Sequence, residues 1–134
     1  MARPDSDDAR TRALRSRTVV LVRSDDAPEI LDELDALVMR KLVRAEHGPD
    51  ISVTWVRLSG RHRRLLTRRS TRLYYVLDGS ATFVVGDGPE LEARRGDVVV
   101  VPRGTPYEFR GETTYLVVNA PAFVEGDDVY DECG

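Results

Sequence analysis

Thr71-Arg72-Leu73-Tyr74-Tyr75-Val76-Leu77-Asp78-Gly79-Ser80-Ala81-Thr82-Phe83-Val84-Val85-Gly86-Asp87-Gly88-Pro89 is the stretch that decides the fold. Two runs rich in β-branched and aromatic residues, Thr71–Leu77 and Ala81–Val85, are divided by Asp78-Gly79 and closed by Gly86-Asp87-Gly88-Pro89. Such runs between turn residues predict strands. Upstream, Ile51–Leu58 alternates and holds Val, Thr and Trp until Gly60 breaks it. Downstream, Glu90–Ala93, Val98–Val101, Tyr107–Phe109 and Thr114–Val118 follow, separated by Arg95-Gly96-Asp97, Arg103-Gly104 and Arg110-Gly111. Closely spaced strands without helical crossovers predict an all-β antiparallel sandwich or barrel.

The N-terminal third reads differently. Thr18–Arg23 predicts a short strand. Ser24-Asp25-Asp26 offers capping oxygens, and Pro28 suits a first helical position. Ile30, Leu31, Leu34, Leu37, Val38, Lys41 and Leu42 then recur at three- and four-residue steps. That spacing predicts one amphipathic α-helix, ended by His47-Gly48-Pro49. The expected organisation is a leader over 1–17, a strand and helix over 18–50, a barrel over 51–124 and an acidic tail over 125–134.

Composition narrows the function classes. The chain has 134 residues, 41% of them apolar and 32% charged, which suits one folded domain. Its longest aliphatic runs, Val19–Val22 and Val98–Val101, are far too short to span a bilayer. The first residues carry mixed charge rather than an apolar signal segment, so a cytoplasmic location is expected. Cys133 is the single cysteine, leaving no intrachain disulfide and reading as a tail thiol without a role. Seven arginines crowd residues 57–72, and no acid occurs over 51–77. Aromatics flank that cluster, at Trp55 and Tyr74, without interleaving it, and the net charge is −3. Neither nucleic acid nor a membrane is therefore an expected partner.

Two anchored patterns carry the chemistry. The first is Gly60-x5-Leu66-x-Arg68-x3-Arg72-x6-Gly79, and the second is Gly96-x5-Pro102-x-Gly104-x2-Tyr107-x3-Gly111. In order and separation they resemble the two signature motifs of the cupin superfamily, over about residues 51–124. The resemblance implies a double-stranded β-helix, or jelly roll, whose motif positions point into the barrel mouth. It also implies a homodimer, paired through sheet edges or a swapped Thr18–Arg23 strand. Where the family places three histidines and a glutamate as metal ligands, this chain has Leu66, Arg68, Arg72 and Tyr107. Leucine cannot bind a metal and a guanidinium repels one, so no metal and no cofactor is expected there.

If Arg68 and Arg72 both face inward, an anion must meet them, because buried unpaired charge is costly. The anion is either a ligand carboxylate or phosphate, or an internal partner such as Glu90 or Glu92; Glu108 should point outward. Tyr107 supplies a phenol able to exchange a proton, and Tyr74 and Phe109 flat walls. The competing readings are a slipped register that puts the arginines on the surface, and plain core roles for the three aromatics. His62 falls outside the motif and reads as an exposed loop residue, and the inward face of 51–58 stays open. The expected function is a metal-independent cupin holding a small anionic organic molecule. It would either catalyse isomerisation, epimerisation, cyclisation or elimination, with Tyr107 catalytic, or serve as a non-catalytic sensor or scaffold.

Overall fold

The computed structural model describes residues 19–131. The leader over 1–17, Thr18 and Cys133 lie outside them. The described chain forms eight strands: β1 (Ile30–Asp32), β2 (Leu37–Val43), β3 (Ser52–Thr67), β4 (Thr71–Val85), β5 (Glu90–Arg94), β6 (Val98–Val101), β7 (Tyr107–Ala120) and β8 (Asp128–Tyr130). All pair antiparallel, in the order β1-β2-β3-β7-β4-β5, with β6 added to β4 and β8 to β3. This is the all-β architecture that the turn spacing predicts. Among the described residues no helix is long and apolar enough to cross a membrane.

The N-terminal helix is not there. Residues 28–46 instead hold the short β1–β2 hairpin, and among the described residues the only helical turns are single 3₁₀ turns at Ser24–Asp26 and Ala45–His47. The physical reason is competition between two periods. Leu37, Val38, Met39, Leu42 and Val43 suit a strand as well as a helix, and the open edge of β3 between Val53 and Leu58 offers β2 a ladder. Val19–Arg23 joins no strand, and Val19, Val20 and Leu21 are exposed.

Three strands are longer than their turn residues suggest. Gly60, Gly79 and Gly111 lie inside β3, β4 and β7 and bend them without ending them. At the bend, β4 and β7 approach so closely that a Cβ on Gly79 would sit 2.1 Å from the Glu112 carbonyl oxygen. One on Gly111 would sit 2.3 Å from that of Ser80. Only glycine fits both positions.

The bent sheet wraps a core of Leu37, Val56, Leu58, Leu65, Val76, Phe83, Val101 and four buried aromatics described below. Ser52, Val56 and Leu58 form the inward row of β3, which turns Trp55 and Arg57 outward. The 125–131 segment is no solvated tail. Asp127 is buried against Arg69, 2.8 Å from Nε, and β8 closes on Leu65–Thr67 of β3.

Candidate functional site

Alternation along β4 puts Arg72, Tyr74 and Val76 on one buried row, as the spacing from Gly79 predicts. Tyr107 and Phe109 share the inward row of β7. Arg72 is only 5% exposed, and each arm of its guanidinium is engaged. Nε donates to Asn119 Oδ1 at 2.6 Å, one terminal nitrogen to the Tyr107 hydroxyl at 3.0 Å, and the other to Asp128 Oδ1 at 2.8 Å. Asn119 is the cross-strand neighbour of Arg72, so sheet register itself supplies the first partner. Asp128 Oδ1 also accepts from Thr67 Oγ1 at 2.9 Å.

The internal partner of Arg72 is therefore Asp128, not Glu90 or Glu92, which pair with Arg110 and Arg94 on the surface. Burial opposes the Arg72 charge, but the Tyr74, Tyr107 and Asp128 oxygens outweigh it and hold the guanidinium protonated. Arg72 therefore needs no ligand anion to balance its charge. Arg68 is not in the site at all. A bulge between His62 and Leu65 shifts the register of β3, so that His62, Leu65 and Thr67 are buried while Arg68 is exposed in the turn before β4. A one-residue slip exchanges faces, and here it sends Leu66 and Arg68 away from the core row.

The Tyr107 hydroxyl stands 2.5 Å from that of Tyr74. Tyr107 is fully buried, and burial pushes its phenol up despite the Arg72 charge. Burial, and then Tyr107, push Tyr74 well above the usual range. Both phenols are therefore protonated donors at neutral pH. Tyr74 borders a cavity of about 230 Å³ at the barrel mouth, together with His62, Arg72, Tyr115, Asn119 and Asp128. Tyr107 and Phe109 stand one layer behind it.

His62 corrects the sequence expectation most sharply. It is 8% exposed, with its ring stacked on Phe109 at 4.7 Å and 17°. Its Nδ1 lies 2.9 Å from the Arg63 carbonyl oxygen. A carbonyl only accepts, so Nδ1 carries the proton and the neutral ring keeps its lone pair on Nε2. Burial lowers the imidazole below its usual value, with Asp35 opposing. Asp35 Oδ2 stands 3.7 Å from Nε2, beyond hydrogen-bond reach but close enough to favour a proton arriving there.

The β1–β2 turn delivers Asp35. Asp32 Oδ1 accepts from the backbone N–H groups of Leu34 and Asp35, and Ala36 adopts a left-handed φ of 54°. Asp35 then takes three hydrogen bonds from Arg63, one from the backbone and two from the guanidinium, at 2.8–3.1 Å. Burial raises the carboxyl, but the Arg63 guanidinium more than offsets it and the group stays below its usual range.

The donor set does not fit the metal site usual in cupins. Of the four motif positions, Leu66 has no ligand atom, Arg68 is outside, Arg72 is a caged cation and Tyr107 is a protonated phenol in that cage. Among the described residues no three His, Cys, Asp or Glu side chains group to hold a metal ion.

A model of the cupin domain matches residues 61–118. No curated protein matches the chain. Among solved structures, Pac13, described as a unique nucleoside dehydratase, is 21% identical with a TM-score of 0.75, covering 85% of this chain and 92% of that one. Streptomyces PAC13 has also been solved with uridine in variants that replace a tyrosine by phenylalanine or a histidine by glutamine. KdgF from Halomonas sp. is 15% identical with a TM-score of 0.70, over 79% and 96% of the two chains. Oxalate decarboxylase from Bacillus subtilis is 20% identical with a TM-score of 0.71, over 84% of this chain and 32% of that one. At these identities the likeness establishes the fold. Strand order, motif spacing and the family match converge: residues 61–118 match the cupin domain, set in a barrel of the cupin fold.

Proposed function

We propose that the barrel binds a small polar organic molecule and moves a proton on it without a metal, with His62 as the base and Tyr74 as the hydrogen-bond donor. A cavity of about 230 Å³ lies below the 300–1,000 Å³ of drug-sized sites, which restricts the occupant to a small molecule. The observation that carries the reading is the His62 ring. Its proton is held on Nδ1, its Nε2 accepts no hydrogen bond among the described residues, and its ring borders the same cavity as the Tyr74 side chain.

The chemistry balances with these groups alone. Nε2 takes a proton from a carbon next to a carbonyl, and Asp35 steadies the imidazolium so formed. Arg72 donates to Tyr107; in this reading Tyr107 donates in turn to Tyr74 when substrate is bound, which turns the Tyr74 proton toward the developing enolate oxygen. If the molecule has a β-hydroxyl, the enolate expels it, and the imidazolium proton leaves with it as water. Otherwise the proton returns to carbon and the product is an isomer. The likeness to a nucleoside dehydratase makes elimination on a nucleoside-type molecule the first case to test. Tyr107, the sequence's choice of catalytic group, becomes in this reading the residue that polarises Tyr74. Self-association as a homodimer is also part of the proposal, supported by Leu91, Val98 and Val100 exposed on β5 and β6, and sedimentation tests it.

The decisive experiment is wash-in of solvent deuterium next to the carbonyl of nucleoside aldehydes and other small hydroxycarbonyl compounds, followed by NMR. The wild-type protein should exchange at least one of them. His62→Gln should slow exchange by about 10²–10⁴-fold, the range of general-base catalysis. Exchange in His62→Gln at the wild-type rate would contradict the assignment, and binding without any exchange would make the domain a sensor.

A further inference from the structure

The barrel mouth holds a second cation that the Arg72 network leaves alone. Leu37, Met39 and Lys41 alternate along one row of β2, and the first two pack into the core. Lys41 pairs in register with Thr54, which shares the row of β3 with Ser52 and Val56. The only lysine in the chain thus takes an inward position at the end of an apolar row. It is half-buried and borders the cavity of His62 and Tyr74. It also borders an adjoining cavity of about 280 Å³, which shares Thr54, Phe123 and Glu125 with the first.

Three of the nearby acids are committed elsewhere. Glu46 pairs with Arg44 at 2.9 Å, Asp128 with Arg72, and Asp35 with Arg63. Glu125 is exposed on the loop after β7. Among the described residues the Lys41 ammonium has no ion-pair partner, and it stands 5.8 Å from the Phe123 ring centroid. A cation–π contact of that length replaces little of the hydration lost on burial. Two hydroxyls border the same outer cavity. Ser52 Oγ accepts from the Phe123 N–H at 2.9 Å, leaving its own proton to donate, and Thr54 stands across the ladder from Lys41.

We propose that Lys41, Ser52 and Thr54 form a subsite for an anionic group, a carboxylate or phosphate, on the molecule that the barrel holds. An ammonium and two hydroxyl donors converging on a half-enclosed space are the groups that recognise an anionic oxygen. The inference deepens the function proposed above, relying on it only for the place of the molecule's reacting end, and it moves the anion from Arg68 and Arg72 to the outer end of the barrel. A substrate with a charged tail would lie with that tail at Lys41 and its reactive carbon at His62. Glu125, facing the same mouth, sets a preference against over-charged ligands.

A single lysine makes the test direct. Protein grown on ¹³C-lysine gives one set of side-chain signals, to be titrated with inorganic phosphate. The Lys41 signal should shift saturably, and Lys41→Met should weaken phosphate binding by about tenfold, the loss expected for one charge-assisted hydrogen bond. Lys41→Arg should retain most of it, and Lys41→Gln repeats the test should the Met variant not fold. A signal that phosphate does not move, or phosphate binding by both Lys41→Met and Lys41→Gln at wild-type strength, would overturn the subsite. His62→Gln should bind phosphate as the wild type does. If deuterium exchange is absent while phosphate still shifts Lys41, the catalytic reading falls and the subsite stands.

Discussion

Two cations face the inside of this barrel, and their surroundings are opposite. Arg72 is caged by Asn119, Tyr107 and Asp128, all within 3.0 Å. Lys41, on β2, borders the same cavity, with a ring beside it and a second cavity adjoining. The difference teaches how to separate a structural charge from one left for a ligand. A guanidinium whose three nitrogens are all engaged by its own chain holds the fold and polarises its neighbours. An ammonium without a carboxylate is available to something that arrives.

Breaking the caged side should have the largest effect. Arg72→Leu leaves Asp128, Asn119 and the Tyr107 hydroxyl facing an apolar side chain, and should destabilise the protein by about 3–5 kcal/mol in urea unfolding, the usual result of removing half a buried pair. Asp128→Leu in the same chain should recover part of that loss, because it removes the orphaned acid. Equal stability of wild type and Arg72→Leu would mean that the cage contributes nothing.

His62 gives the next effect, and its sign follows from where it is buried. Its folded value lies below the ordinary 6.5, so the unfolded chain binds more protons below that pH. Stability should be intact above pH 6.5 and should fall as pH drops below it, by at most about 1.4 kcal/mol per pH unit until the folded value is passed. His62→Gln should flatten the profile in that window while leaving a second loss as pH falls below 3.8, where the unfolded chain protonates Asp35 before the folded one does. Tyr74→Phe should cost less, about 1 kcal/mol, since one buried hydrogen bond is lost without a charge being exposed. Lys41→Met sharpens the contrast from the other side. Its stability should stay within about 0.5 kcal/mol of wild type, because no ion pair is broken.

Sequence reasoning reached the barrel and the Arg72–Tyr74–Tyr107 row, because glycine and proline spacing pins strand register where both faces differ. It missed what depends on irregularity. The bulge between His62 and Leu65 has no composition signature, yet it decides that Arg68 is outside. His62 itself was within reach. Val56, Leu58, Gly60 and His62 share one parity, and reading Gly60 as a bend in a continuous strand would have carried the inward row to the histidine. The β1–β2 hairpin was hidden by a helical period whose apolar residues serve a strand equally well. Asp128 was hidden by distance, since an acid 56 residues from Arg72 in a charged C-terminal stretch looks like solvated surface until β8 pairs with β3.

The central claim is that the barrel mouth presents a neutral imidazole with its lone pair on Nε2. The chain has two histidines, His47 and His62, so ring nitrogen NMR across a pH titration, with His47→Gln to assign the signals, reads it directly. The account predicts that His62 shows a protonated Nδ1 and an unprotonated Nε2 at pH 7, with a midpoint below 6.5. A ring that is charged at pH 7, or that carries its proton on Nε2, would contradict it.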